Sequence, residues 1–191
     1  YTNYRERLYK SYARIAQPSP QFGEFGWLRS AEAFRYVKLM YSQERIVIVE
    51  ADLLKDRAIR SVGDAVRKLG TSVRIYYPSN AEEMWKFNPN YRANVASLPF
   101  DERSVALRTI WASTYPKGRP QRFWHRITPG IYWHYVVHGG LDYQKKIQYP
   151  DYDDVDAWRE ERISTPSPFL SVVNLPGDLS DGKVNWAKCE R

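Results

Sequence analysis

The run from Arg45 to Trp111 constrains the fold more than any other part of the chain. Arg45-Ile46-Val47-Ile48-Val49 is short, apolar and β-branched, and it stops at Glu50-Ala51-Asp52. Such residues suit a pleated strand. An amphipathic helix is predicted next. Asp56 stands where an N-cap belongs, Ala58, Ile59, Val62, Ala65, Val66 and Leu69 share one stripe, and Gly70 is the stop. Ser72 to Tyr77 is a second predicted strand. Ser79-Asn80-Ala81-Glu82-Glu83 then supplies a capping pattern for a helix that Asn88-Pro89-Asn90 should break. Ser104 to Trp111 is a third strand. Strands alternating with helices at this spacing imply a parallel sheet with crossover helices, and ligands bind such sheets at the strands' carboxyl ends.

The flanks are less regular. Residues 4–16 place Leu8, Tyr12 and Ile15 among Arg and Lys, which predicts an exposed amphipathic helix ended by Gln17-Pro18-Ser19-Pro20. An aromatic-glycine loop, Phe22 to Leu28, leads to Ser30, the cap of a helix over 31–42 with Glu32 in its first turn. Residues 112–130 form a loop containing Pro and Gly. Ile131 to Val137 is a fourth strand, closed by Gly139-Gly140. From Tyr149 the chain turns acidic and then proline-rich, with one short helix expected around Val155–Ile163. The expected division is residues 1–28 as helix and loop, 29–148 as an α/β domain, and 149–191 as an extended arm.

Composition bounds the partners. With 43% hydrophobic and 27% charged residues the chain is globular rather than disordered. Its 15 Tyr and 7 Trp suit binding surfaces, because each ring buries much area while keeping a polar tip. They equally suit a tyrosine-rich core. The net charge of +7 is concentrated early: residues 1–48 hold eight Lys/Arg against four acids. That excess fits nucleic acid, an anionic membrane face, an acidic protein or plain solubility. Cys189 is the only cysteine, which excludes an intrachain disulfide and a thiolate metal cluster. No stretch approaches 18 apolar residues, so no transmembrane segment is expected. The compartment stays open. The chain opens on Tyr1, so either a leader has been removed or upstream residues belong to the same protein.

Phe25-Gly26-Trp27-Leu28, the run Arg45 to Asp52, Ala58 to Gly63 and Tyr76 to Glu82 occur in an informative order. Asn94 to Pro99 and Ser104 to Thr109 extend it. Over these segments the chain resembles uncharacterised bacterial proteins related to S-adenosylmethionine-dependent methyltransferase-like Rossmann domains. The resemblance covers a little under half the chain and implies the second half of that fold only. The glycine-rich turn that holds the cofactor in such domains has no counterpart before Ile46. The fold expected is therefore α/β: a partial Rossmann-like, mostly parallel sheet with flanking helices, an N-terminal helical segment and an extended C-terminal arm. No cofactor is expected in this chain, and S-adenosylmethionine only if an upstream half exists.

Three constellations are candidates for a site. Asp52, with Glu50, ends the first predicted strand, and Ser79-Asn80 end the second. In a parallel sheet these ends adjoin, so Asp52, Ser79 and Asn80 could line one ligand crevice, or could merely shape a turn and cap a helix. Lys117 to Arg126 carries Arg119, Arg122, Phe123, Trp124 and Arg126 without an acid, which suits phosphate contact with base stacking or a protein partner. It also suits a loop whose two aromatics plug an apolar gap. His134 and His138 share a strand face but lie about 13 Å apart there, too far for one metal ion. No metal site and no catalytic nucleophile is assigned.

The leading functional expectation is a non-catalytic accessory or interaction subunit on a degenerate methyltransferase-like scaffold, contacting protein partners through the N-terminal helix and C-terminal arm. The alternatives are the C-terminal half of an S-adenosylmethionine-dependent methyltransferase and a nucleic-acid-binding module.

Overall fold

The structure is a computed structural model that describes residues 5, 6, 9, 10, 13, 27, 30–111, 133–155, 157, 161, 163, 164 and 170–175. The chain divides into two compact units, Tyr1–Val49 and Glu50–Arg191.

In the first unit, helix α1 spans Ala31–Ser42. Its start is as expected: Ser30 is extended, and its hydroxyl accepts the Ala33 amide at 3.0 Å. Glu32 adds a favourable charge at the positive end of the helix. Phe34 stacks on Trp27 with ring centroids 6.1 Å apart. None of the twelve residues is buried. The expected strand Arg45–Val49 does not form. Among the described residues the run joins no strand: the Arg45 amide bonds the Met40 carbonyl at 2.9 Å, Ile46 stands at a bend, and Val47 and Ile48 are 77% and 85% exposed. β-branched side chains favour an extended backbone, but a strand also needs a hydrogen-bonding neighbour, and the run's own pattern supplies none.

The second unit opens with α2, Ala58–Lys68. Asp56 is not its cap. The residue before the helix is Arg57, and it makes no side-chain capping bond. Strand β1, Ile75–Ser79, begins three residues later than the pattern suggested. The helix expected from Ser79 shrinks to one 3₁₀ turn, Ala81–Met84, because Ser79 is held at φ 58° and Asn80 offers no side-chain cap. Asn88-Pro89, expected to break a helix, instead starts α3, Pro89–Ala96. Asn88 caps the Tyr91 amide at 2.8 Å, and proline is tolerated in a first turn where its missing N–H would have no partner anyway. Strands β2, Val105–Trp111, and β3, Trp133–Gly139, are followed by α4, Gly140–Lys146. The short β4, Ile163–Ser164, and β5, Leu170–Val173, complete the set.

The strands form one open sheet in the order β1-β2-β3-β5-β4. β1 pairs parallel with β2, β2 antiparallel with β3, and β3 parallel with β5. The two-residue β4 adds an antiparallel edge. The molecule is therefore α/β, and its four longer strands make a mostly parallel sheet with flanking helices. The segment read as an extended arm supplies two of the strands. Tyr152 and Val155 from the same segment are buried in the core. Proline-rich flanks hid this, because four residues are too few to display an alternating period.

The core joins Ala106, Ile110, Val136 and Val173 of the strands with Tyr91 and Val95 of α3, Tyr143 of α4, and Ile147 just after it. Helix α2 approaches α3 so closely that a Cβ on Gly63 would stand 2.8 Å from the Ser97 carbonyl oxygen. The buried Asn94 amide fixes the loop before α2, donating to the Leu53 and Lys55 carbonyls at 2.9 and 2.6 Å.

Candidate functional site

Two buried polar groups meet on the helix-covered face of the sheet. Glu82 stands in the turn that follows the carboxyl end of β1. Arg108 is central in β2, opposite Ser79 on one side and Val136 on the other. Arg108 Nε donates to Glu82 Oε2, and the two side chains are 1% and 2% exposed. The other carboxylate oxygen, Oε1, accepts from Tyr91 Oη at 2.5 Å and from Tyr143 Oη. Tyr76 Oη lies 3.0 Å from Tyr91 Oη, and the guanidinium carbon sits 3.9 Å from the Tyr143 ring centroid. Opposite charge, three charge-assisted hydrogen bonds and a cation–π contact thus converge where water is excluded.

The electrostatics follow from that burial. It pushes the Tyr91 and Tyr143 phenols well up, and the adjacent Glu82 carboxylate raises both further. Tyr76 and Tyr152 are pushed up by burial in the same way. Burial alone would lower Arg108, but the Glu82 charge outweighs it and holds the guanidinium above its ordinary value.

The second group surrounds His138, fully buried at the end of β3. Its Nε2 lies 2.7 Å from Asp142 Oδ2, one helical turn along in α4. Asp142 also takes Lys146 Nζ at 3.0 Å and Asn174 Nδ2 at 2.7 Å. Lys146 reaches on to Glu161. Burial depresses the imidazole to about 4; Asp142 opposes that shift and Arg108 adds to it. Partial burial would raise the Asp142 carboxyl, but bonds from His138, Lys146 and Asn174 outweigh it and leave it at about 2. His138 is therefore neutral and Asp142 ionised at neutral pH. A carboxylate-oriented imidazole is a familiar proton acceptor. Here its Nδ1 is buried and meets no hydrogen-bond partner among the described residues, so the pair acts as a clamp between α4 and the end of β5.

The residues expected to form a crevice each make local contacts. Asp52 is exposed, and its Oδ1 accepts the Leu54 amide at 2.9 Å in a local turn. Ser79 Oγ lies 3.2 Å from Thr109 Oγ1. Asn80 is half-buried beside the 3₁₀ turn, and no hydrogen bond links it or Ser79 to Asp52. Because Arg45–Val49 is no strand, Asp52 has no strand end to occupy. Arg119, Arg122, Phe123, Trp124 and Arg126 lie outside the described residues. His134 is on a strand as expected, with its Nε2 2.9 Å from Ser171 Oγ. Among the described residues, no helix is long and apolar enough to cross a membrane.

Sequence reasoning passed over the Glu82–Arg108 pair. Its signal is the one charged residue in Val105–Trp111, since a charge in a central strand requires a buried counter-charge. Tyr143 and Ile147, four apart after Gly139-Gly140, are the corresponding signal for α4.

The family model of a domain of unknown function (DUF7790) matches residues 1–168, and the chain belongs to that family. No curated protein sequence matches it.

Proposed function

We propose that this chain is a non-catalytic accessory or interaction subunit of a larger protein assembly. The observation that carries the reading is α1. A helix of twelve residues is marginal in water by itself and normally owes its stability to an apolar face packed on something. Here no residue of α1 is buried, and Phe34, Tyr36, Leu39 and Tyr41 all stand exposed. Aromatic side chains presented this way are the usual anchors of protein interfaces. The basic residues beside them, Arg35 and Lys38, favour an acidic rim on the partner. In this reading the N-terminal segment 4–16 and the C-terminal residues beyond Leu175 are further contact segments.

The buried polar cluster supports the same reading. Both oxygens of Glu82 are engaged by side chains of its own fold, and His138 is braced within the core. Neither is presented to a substrate.

Native mass spectrometry of the protein isolated gently from its source tests the proposal. A fixed-stoichiometry complex with a different polypeptide is the expected result, and replacing Phe34 and Tyr41 with Asp should release the subunit. A free monomer throughout the purification would overturn it.

A further inference from the structure

We infer that β1 is a self-pairing edge: it joins the β1 of a second copy, antiparallel about a two-fold axis at Tyr76, to make one sheet across two chains. This goes beyond the heterotypic subunit reading and does not depend on it. Residues of the second unit alone are involved.

The sheet has two edges. β4 is only two residues long, a common way of blunting an edge against unwanted pairing. β1 is five residues long and carries β2 on one side only. The Val105 amide donates to the Arg74 carbonyl at 3.0 Å where β1 runs parallel to β2. Strand alternation then turns the backbone groups of Tyr76 towards β2 and those of Ile75 and Tyr77 outward. Among the described residues, no other backbone group bonds Ile75 or Tyr77. Their side chains are 61% and 51% exposed, on the face opposite Tyr76, which turns to Tyr91. An irregular step in the β1–β2 register falls between Tyr76 and Ser79, so the open stretch is Ile75–Tyr77.

That stretch is complementary to itself. Antiparallel pairing about Tyr76 sets each Ile75 opposite the second copy's Tyr77. Both residues turn their N–H and C=O outward, so each such couple exchanges both N–H···O bonds. A β-branched side chain then lies across from an aromatic one, a favoured cross-strand pair. The apolar row that Val105 and Ile75 begin continues into the second chain. Arg74, the one charge in residues 73–79, falls opposite Pro78 and is neutralised by Asp101 of its own chain. No like charges oppose each other along the seam. The seam is short, which makes the association weak and concentration-dependent. With β4 blunted, it closes as a two-fold dimer rather than an open fibre.

The test is light scattering after size exclusion on the full chain over a hundredfold range of concentration. A monomer–dimer equilibrium is expected. Ile75→Pro removes an outward N–H that β2 does not use, and Tyr77→Lys charges an exposed side chain. Each should keep the native circular dichroism and weaken the dimer at least tenfold. Cross-linking reads the register. In a Cys189→Ser background, Ile75→Cys chains mixed with Tyr77→Cys chains should oxidise to a covalent dimer, because the paired Cα atoms lie about 5.5 Å apart. Either chain alone should cross-link far more slowly, since like residues across the axis are about 8 Å apart. A concentration-independent monomer, a dimer that Tyr77→Lys leaves as tight, assemblies larger than two copies, or cross-linking by one cysteine chain as fast as by the mixture would each overturn the inference. None of these outcomes bears on whether a different polypeptide binds α1.

Discussion

Arg108 projects from the middle of β2 to the Glu82 carboxylate, and the pair is shut away from water by the phenols of Tyr91 and Tyr143. The two ends come from different elements, so one ion pair fixes the turn after β1 against the centre of the sheet. Removing two charges from water costs several kcal/mol per ion, so the pair defines where the turn sits more than it adds net stability.

That asymmetry predicts a double-mutant result. Glu82→Gln should destabilise the protein by about 3–5 kcal/mol, because the arginine loses its buried counter-charge. Glu82→Met combined with Arg108→Met should cost clearly less than the sum of the two single changes. Urea unfolding of the four proteins checks this; additive losses would contradict it.

The phenol contacts are separable from the ion pair. Tyr143→Phe removes one hydrogen bond from Glu82 Oε1 and retains the ring under the guanidinium, so a loss of about 1–3 kcal/mol is expected. Tyr143→Leu should lose more, since the cation–π contact and the ring's packing both go. Thermal unfolding of the two variants ranks them.

Acid should loosen the clamp at His138. The folded imidazole titrates at about 4, against an ordinary value of 6.5. Between those values the unfolded chain binds more protons, so stability is fully present above about pH 6.5 and is lost as pH falls towards 4, by on the order of 3 kcal/mol. Arg108 and Lys146 oppose a further positive charge there, and Asp142 only partly offsets them. Asp142 carries the same sign into a lower window, contributing stability above 3.8 that is lost as pH falls to about 2. His138→Gln should flatten the upper limb of the stability–pH curve and also shrink the lower one, because the imidazole helps hold Asp142 down. An unchanged upper limb would contradict the assignment.

Gly63 is set by steric fit. Alanine is normally worth about 1 kcal/mol more than glycine inside a helix. A Cβ at this site, however, meets the Ser97 carbonyl oxygen at 2.8 Å, and that oxygen is backbone and cannot rotate away. Gly63→Ala should therefore destabilise by about 1–3 kcal/mol as α2 is forced off α3. A rise in melting temperature would show that the two helices can separate at little cost.

The elements legible in the sequence were those with long periods or local caps. The stripe Ala58 to Leu69 gave α2, and Ser30 with Glu32 gave α1, because both signals lie within a few residues of one another. The adjacency of β1 and β2 followed from the helical connection between them. What escaped depends on distant partners. Arg45–Val49 has the composition of a strand, but composition does not say whether an edge is available. Leu170–Val173 has an edge, but it is too short to announce itself. Asp52, Ser79 and Asn80 were grouped by an inferred sheet position, and the strand meant to position Asp52 does not form. Glu82 and Arg108 are 26 residues apart, and only the folded sheet makes them neighbours.

β5 bears on how the molecule is made. It lies between β3 and β4, and it begins two residues after the end of the family match. A nascent chain emerging from the ribosome can assemble β1, β2 and β3 while the flank of β3 still waits for Leu170. Until that late segment arrives, Val136 and His138 lack the neighbour that covers them, and the Asp142 clamp has no Asn174 to grip. Completion of the sheet thus waits on the segment around Leu170, and until it emerges the flank of β3 is open to capture by chaperones.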